Sequence, residues 1–130
     1  MKRTKIKRKS KDKRQILQKN CDRLLQELIT TLHPNCEVCG KPAICGHHIF
    51  PKSTSNRLRY ELGNISALCN WCHFSHHNGN PLIFDTILNK RGDEWWSALK
   101  EMKKESVHLD VPYYEAHKNR LLHALEGARL

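Results

Sequence analysis

Cys36-Glu-Val-Cys39, Gly46-His47-His48, Gly63-Asn64-Ile65 and Cys69-Asn-Trp-Cys72-His73-Phe-Ser-His76-His77 are the landmarks of one stretch, residues 36–79. It holds five of the six cysteines and five of the nine histidines of a 130-residue chain. Four of the cysteines form two CxxC pairs with 29 residues between Cys39 and Cys69. That spacing fits two knuckles closing on one structural zinc through Cys36, Cys39, Cys69 and Cys72. A thioredoxin-like redox pair would need a βαβ setting that the flanking sequence lacks. Cys45 reads as a packed strand residue, and Cys21, outside the stretch, as a small core residue.

The surroundings set limits on what this stretch can belong to. At 130 residues the chain is one small core with appendages. Hydrophobic residues are 38% and charged residues 28%, and no apolar run approaches the ~20 residues of a membrane-spanning helix. The basic N-terminus lacks the apolar region of a secretory signal, so the expected compartment is the cytoplasm, that of the host if the chain is phage-encoded. In a reducing compartment disulfides rarely persist, which again favours metal for the cysteines. Nine of the first 14 residues are Lys or Arg against Asp12 alone, a local charge of +8 out of a total of +10. Lys2, Arg3, Lys5, Lys7, Arg8 and Lys9 are therefore candidates for phosphate contact, the partner being DNA.

Pattern divides the chain into a basic, unstructured arm (1–10), a helix (11–33), the zinc-stapled core (34–80) and a helical extension (81–130). Ile16, Leu17, Cys21, Leu24, Leu25, Leu28, Ile29 and Leu32 recur at three- and four-residue steps and predict an amphipathic helix, with Ser10 as N-cap and His33-Pro34 as its end. Ala43–Phe50 and Ile65–Leu68 read as strands, and Lys52–Tyr60 as a polar loop. Asn70–His77 reads as a helix stopped by Asn78-Gly79-Asn80-Pro81. Helices are predicted over Leu82–Lys90, from an N-cap at Asp93 through Met102, and over Tyr113–Glu126. The tryptophans read as core packing. His117 and His123 are assigned no chemistry.

The fold class is thus α+β, two strands and one helix forming a ββα unit around the knuckles. His73 and His77 stand four apart on one helical face and can share a metal; His73 with His76, three apart, is the alternative. Adjacent strand residues face opposite ways, so only one of His47 and His48 can join that metal while the other stays free as a base. A metal held by two or three imidazoles keeps open positions for substrate and water, which is a catalytic arrangement.

The order His-His, Asn, then Cys-x-x-Cys-His between CxxC knuckles resembles the HNH nucleases of the ββα-metal class. The likeness covers Cys36 to Gly79. It implies that His47 and His73 ligate a divalent cation (Mg²⁺, Mn²⁺, Ni²⁺ or Zn²⁺), that His48 activates water, and that Asn64 holds the loop orienting that base. His77 matches a further helical ligand of the colicin-type branch. Lys52, Arg57 and Arg59 in the loop become candidates for phosphate contact. The run through Gly46-His47, Cys69–Cys72 and Gly79-Asn80 is also similar to the NinG family of phage recombination proteins, endonucleases of branched DNA. The doubled His47-His48 and the set His73, His76 and His77 depart from that family. The competing readings are a non-catalytic zinc-stabilised nucleic-acid binding module and a zinc-stapled protein adaptor.

Overall fold

A computed structural model describes residues 12–130. The foreseen arm over 1–10, with Lys2, Arg3, Lys5, Lys7, Arg8 and Lys9, lies outside the described residues. Along the chain run α1 (Lys13–Leu32), β1 (Cys45–His48), a 3₁₀ turn (Leu62–Asn64), β2 (Ile65–Leu68), α2 (Asn70–His77), α3 (Pro81–Arg91), α4 (Asp93–Lys103) and α5 (Val111–Ala128). Among the described residues, no helix is long and apolar enough to cross a membrane.

Asp12 rather than Ser10 caps α1. Its carboxylate accepts from the Gln15 amide at 2.8 Å, and the Gln15 side chain accepts in return from the Asp12 amide at 3.3 Å. This reciprocal box satisfies two of the donors a helix start leaves open. The buried stripe is Leu17, Cys21, Leu24, Leu25, Leu28 and Ile29. Ile16 and Leu32, expected on it, are exposed. The stripe packs on Tyr114, Leu121 and Leu125 of α5 and on Tyr60, Ile65 and Ala67 near the sheet, forming the first core. Cys21 is fully buried there and its thiol donates to the Tyr114 carbonyl at 3.3 Å.

β1 and β2 pair antiparallel, with His47 opposite Ser66 and His48 opposite Ile65. The expected strand Ala43–Phe50 is shortened at both ends because other partners take its backbone. Ala43 N–H donates to Pro34 O at 2.8 Å, and Phe50 N–H donates to the Asn64 side chain, also at 2.8 Å. Gly46 lets α1 approach β1 closely: a Cβ there would lie 2.9 Å from Ile65 Cγ2 and 3.2 Å from Ile29 Cγ2. Gly46→Ala should therefore destabilise the fold by about 1–3 kcal/mol through overpacking. Urea unfolding with an unchanged slope would read this as a lower midpoint, and an unchanged midpoint would contradict it.

The second core contains Cys36, Leu68, Cys69, Cys72, Ile83 and Ile87, with Trp95 packed against it. Gly79, at φ 85°, turns the chain after α2, and the Asn80 side chain then caps α3 by accepting from the Leu82 amide at 3.1 Å. Leu82, near the start of α3, is exposed. Gly92 precedes α4, and Asp93 is its first residue rather than its cap. With Glu94, Asp93 places negative charge on the positive end of the helix dipole. Asp110 caps α5, which starts at Val111, two residues before the expected Tyr113. Trp96 stacks on Phe50 at 4.9 Å, whereas Trp71 is 64% exposed and lies outside the core expected for the tryptophans.

Candidate active site

The two knuckles meet because each is a turn whose thiols point inward. In the first, Gly40 at φ 79° closes the turn, and its amide donates to Cys36 O at 2.9 Å. In the second, Cys69 caps α2 and its sulfur accepts from the Cys72 amide at 3.4 Å. The sulfurs of Cys36, Cys39, Cys69 and Cys72 all lie within 4.8 Å of one another, and all four cysteines are free of disulfides. Cys39 and Cys69 approach to 3.5 Å, far beyond a disulfide length of about 2 Å and near the ~3.8 Å edge implied by tetrahedral Zn–S bonds of about 2.3 Å. Burial opposes ionisation of Cys36, yet the N–H groups of Cys39, Cys69 and Val38 pull its thiol down to about 7. Burial and the neighbouring thiols push Cys72 up. Four sulfurs sharing protons in this way fit a cation that displaces them.

The second cluster is imidazole. Nitrogens of His47, His73 and His77 lie within 4.8 Å of one another, and the Nε2 atoms of His73 and His77 are 2.9 Å apart. His47 Nε2 is buried with no hydrogen-bond partner among the described residues. A buried ring nitrogen left unpaired beside two converging imidazoles fits a metal ion, for which each would supply a lone pair. Burial, then the histidines of α2 and His48, push His47 down to about 3, so it is neutral and able to ligate near pH 7. His76 stands close by. As the alternative partner of His73 it lies near the cluster, with its ring 4.7 Å from that of His47, edge on. The three converging nitrogens nonetheless belong to His47, His73 and His77.

His48 faces the other way, as strand alternation requires. Its Nε2 lies 2.9 Å from the Arg59 carbonyl. A carbonyl only accepts, so Nε2 carries the proton and Nδ1 keeps the lone pair. Burial lowers its pKa against the opposing effect of that bond, leaving the ring neutral. Both histidines line a cleft of about 450 Å³ together with Gln26, Lys52, Ser53, His73 and His77.

Asn64 is fully buried and does not touch His48. Its oxygen accepts from Phe50 N–H at 2.8 Å, and its nitrogen donates to Phe50 O at 3.0 Å and Leu58 O at 3.2 Å. It thereby ties both ends of the loop whose next residue, Arg59, holds His48. The basic residues of that loop are not free. Arg57 pairs with Glu105 at 2.9 Å and Glu61 at 3.3 Å, and Arg59 binds Asp22 through two bonds of 3.2 and 2.7 Å. Lys52 lies 3.9 Å from Asp22 and remains exposed at the cleft.

Sequence reading missed Asp22, Gln18 and Gln26 of α1. Gln26 mimics a strand edge for Gly46: its nitrogen donates to Gly46 O at 2.9 Å and its oxygen accepts from Gly46 N–H at 2.7 Å. The helical spacing of 18, 22 and 26 marks one face. Only the fold shows what that face meets.

Fold and site together define a cysteine-stapled ββα unit with an open histidine centre. Residues 36–79 match the family model for HNH endonuclease. A mitochondrial DNA mismatch repair protein mutS homolog of Sarcophyton glaucum is 38% identical over 53 residues, covering 38% of this chain. The chain spans only 5% of that protein's length. No solved structure matches the chain.

Proposed function

We propose that the chain is a metal-dependent endonuclease hydrolysing DNA phosphodiester bonds, with zinc held by Cys36, Cys39, Cys69 and Cys72 and a divalent cation held by His47, His73 and His77. The observation that carries the reading is the placement of His48. Its ring is neutral, its Nε2–H is spent on a carbonyl, and it lines the same cleft as the three converging imidazoles. A bound cation there would polarise the phosphate and stabilise charge on the leaving oxygen. His48 Nδ1 takes the proton of the attacking water, and the Arg59 carbonyl holds the ring as it becomes positive. Asn64 keeps that carbonyl in place by fixing the loop.

A DNA substrate accords with the HNH match over 36–79 and with the local likeness to a DNA mismatch repair protein. The similarity of the Gly46-His47, Cys69–Cys72 and Gly79-Asn80 run to the NinG family makes branched DNA the first substrate to compare. The test is cleavage of linear duplex, single strands and a four-way junction with Mg²⁺, Mn²⁺ or Ni²⁺. Protein-dependent cutting supports the reading. Salt-dependent binding without cutting in any metal favours the non-catalytic zinc module instead.

With Arg57 and Arg59 held by carboxylates, phosphate contact falls to Lys52 and to α4. Lys52 lines both the cleft and an adjoining hollow of about 400 Å³ with Lys103 and Lys104. Lys103 stands 4.8 Å over the Phe50 ring and Lys100 5.8 Å over Trp96. Neither has an acidic partner within 4.0 Å among the described residues. Lys100→Ala with Lys103→Ala should flatten the dependence of log K on log salt by roughly 2, with the cleavage rate at saturating DNA kept. Titrations across a KCl series would measure it, and an unchanged slope would exclude these lysines from the interface.

A further inference from the structure

We propose that Asp22 of α1 is a positioning residue for His48, acting through Arg59 from outside the stretch that matches the HNH family. This rests on the nuclease reading of the cleft. Asp22 receives three hydrogen bonds: from Arg59 Nε at 3.2 Å, Arg59 Nη2 at 2.7 Å and the Tyr60 hydroxyl at 2.8 Å. Both donors belong to the two residues at the end of the active-site loop. Arg59 O is the atom that accepts from His48 Nε2 at 2.9 Å. Asn64 secures this loop only as far as Leu58. The peptide carrying the Arg59 carbonyl is therefore fixed on one side by Asn64 and on the other by Asp22.

The flanking residues of the same face strengthen the assignment. With its amide oxygen turned toward Arg59, Gln18 accepts from Nη2 at 2.9 Å and Nη1 at 3.3 Å. Gln26 holds both backbone groups of Gly46, the residue before His47. Residues 18, 22 and 26 thus form a polar ridge four residues apart on a helix whose other side is buried against α5 and the sheet. The Arg59 side chain is only 13% exposed, so the pair is sheltered from solvent and its geometry is firm. An imidazole whose acceptor is fixed to this degree has one tautomer and one direction, as a proton-accepting group needs.

The experiment compares full-length, zinc-loaded wild type with Asp22→Asn, Asp22→Ala and Asp22→Glu. Single-turnover cleavage at saturating DNA, assayed well below each variant's melting temperature, should fall by about tenfold or more in Asp22→Asn and Asp22→Ala, with DNA affinity and zinc content close to wild type and a lowered melting temperature, because the sheltered Arg59 guanidinium loses its carboxylate. Asp22→Glu should recover part of the rate. In a His48→Ala background, Asp22→Ala should cause no further loss, because the residue acts only through that ring. A long-range ¹H–¹⁵N spectrum reads the same point without any cleavage: wild-type His48 should show a protonated Nε2 and a bare Nδ1, and Asp22→Ala an average of both tautomers. Equal fold-losses in the two backgrounds, or His48 nitrogen shifts unaltered by Asp22→Ala, would overturn the proposal. Absence of cutting by wild type would instead count against the nuclease reading, with the nitrogen spectrum still deciding the role of Asp22.

Discussion

His48→Ala is expected to lower the DNA cleavage rate by on the order of 10²- to 10⁴-fold, the range a positioned general base supplies. Zinc content, helicity and DNA affinity should stay at wild-type levels. The expectation follows from what His48 touches. Among the described residues its ring hydrogen-bonds to the Arg59 carbonyl alone, a contact that orients the ring and holds no element of the fold together. The ring is neighbour to Lys52 and the cleft, whereas the sulfur cluster sits behind Leu68 in the second core. Deleting the imidazole leaves the Arg59 carbonyl without its donor, a cost of about 1–3 kcal/mol if water cannot replace it. The cleft is open, so water can. Cleavage assays with circular dichroism and zinc analysis on the same samples would check this. Loss of folding in step with activity would make His48 a structural histidine.

Asn64→Ala separates loop from chemistry. It removes three hydrogen bonds at a fully buried position and leaves the amide and carbonyl of Phe50 unsatisfied, while Leu58 O keeps the Glu61 amide at 3.3 Å. A loss of roughly 2–4 kcal/mol follows if two such groups stay unpaired, so Asn64→Ala should weaken both stability and cleavage. Thermal melts beside cleavage rates would show the two falling together. Activity lost at full stability would mean that Asn64 meets the substrate directly.

Legibility in the sequence followed the range of the interactions. CxxC spacing, the i, i+4 pair His73/His77 and strand alternation at His47-His48 are local rules, and they locate the sulfur cluster and the imidazole cluster, with His48 beside the latter in the same cleft. The stripe of α1 was readable for the same reason. Which side chains face Ile16 or Leu82 depends on where α5 and the second core end, and periodicity says nothing of that. Pairing of Arg59 with Asp22, 37 residues away, or of Arg57 with Glu105, 48 away, leaves no trace in spacing. Their charges read as phosphate contacts until the fold supplied their partners. Caps were misplaced at Ser10 and Asp93 because each lies within three residues of another competent cap, Asp12 or Gly92, and tertiary packing selects between them.

Cys72→Ser should have the largest effect on the fold, because the second core is built around the sulfur cluster. Three of its six buried members, Cys36, Cys69 and Cys72, are proposed zinc ligands, and the apolar remainder is Leu68, Ile83 and Ile87. Three aliphatic side chains contribute roughly 1.5–3 kcal/mol each on burial, together less than the apparent ~10–16 kcal/mol of a structural zinc. Without the metal, then, this half of the chain has little to hold it. Loss should spread to catalysis, since Cys69 caps α2 and the same helix carries His73 and His77. The first core, where α1 packs on α5 around Leu28 and Leu121, shares no ligand with the cluster and should keep helical signal. The expected result is a protein deficient in zinc, inactive, and fast in hydrogen exchange over the two knuckles, α2 and α3, with protection retained in α1 and α5. Hydrogen exchange by mass spectrometry with zinc quantification would read it, and a Cys72→Ser protein with normal zinc content and uniform protection would remove the four-cysteine site from the account.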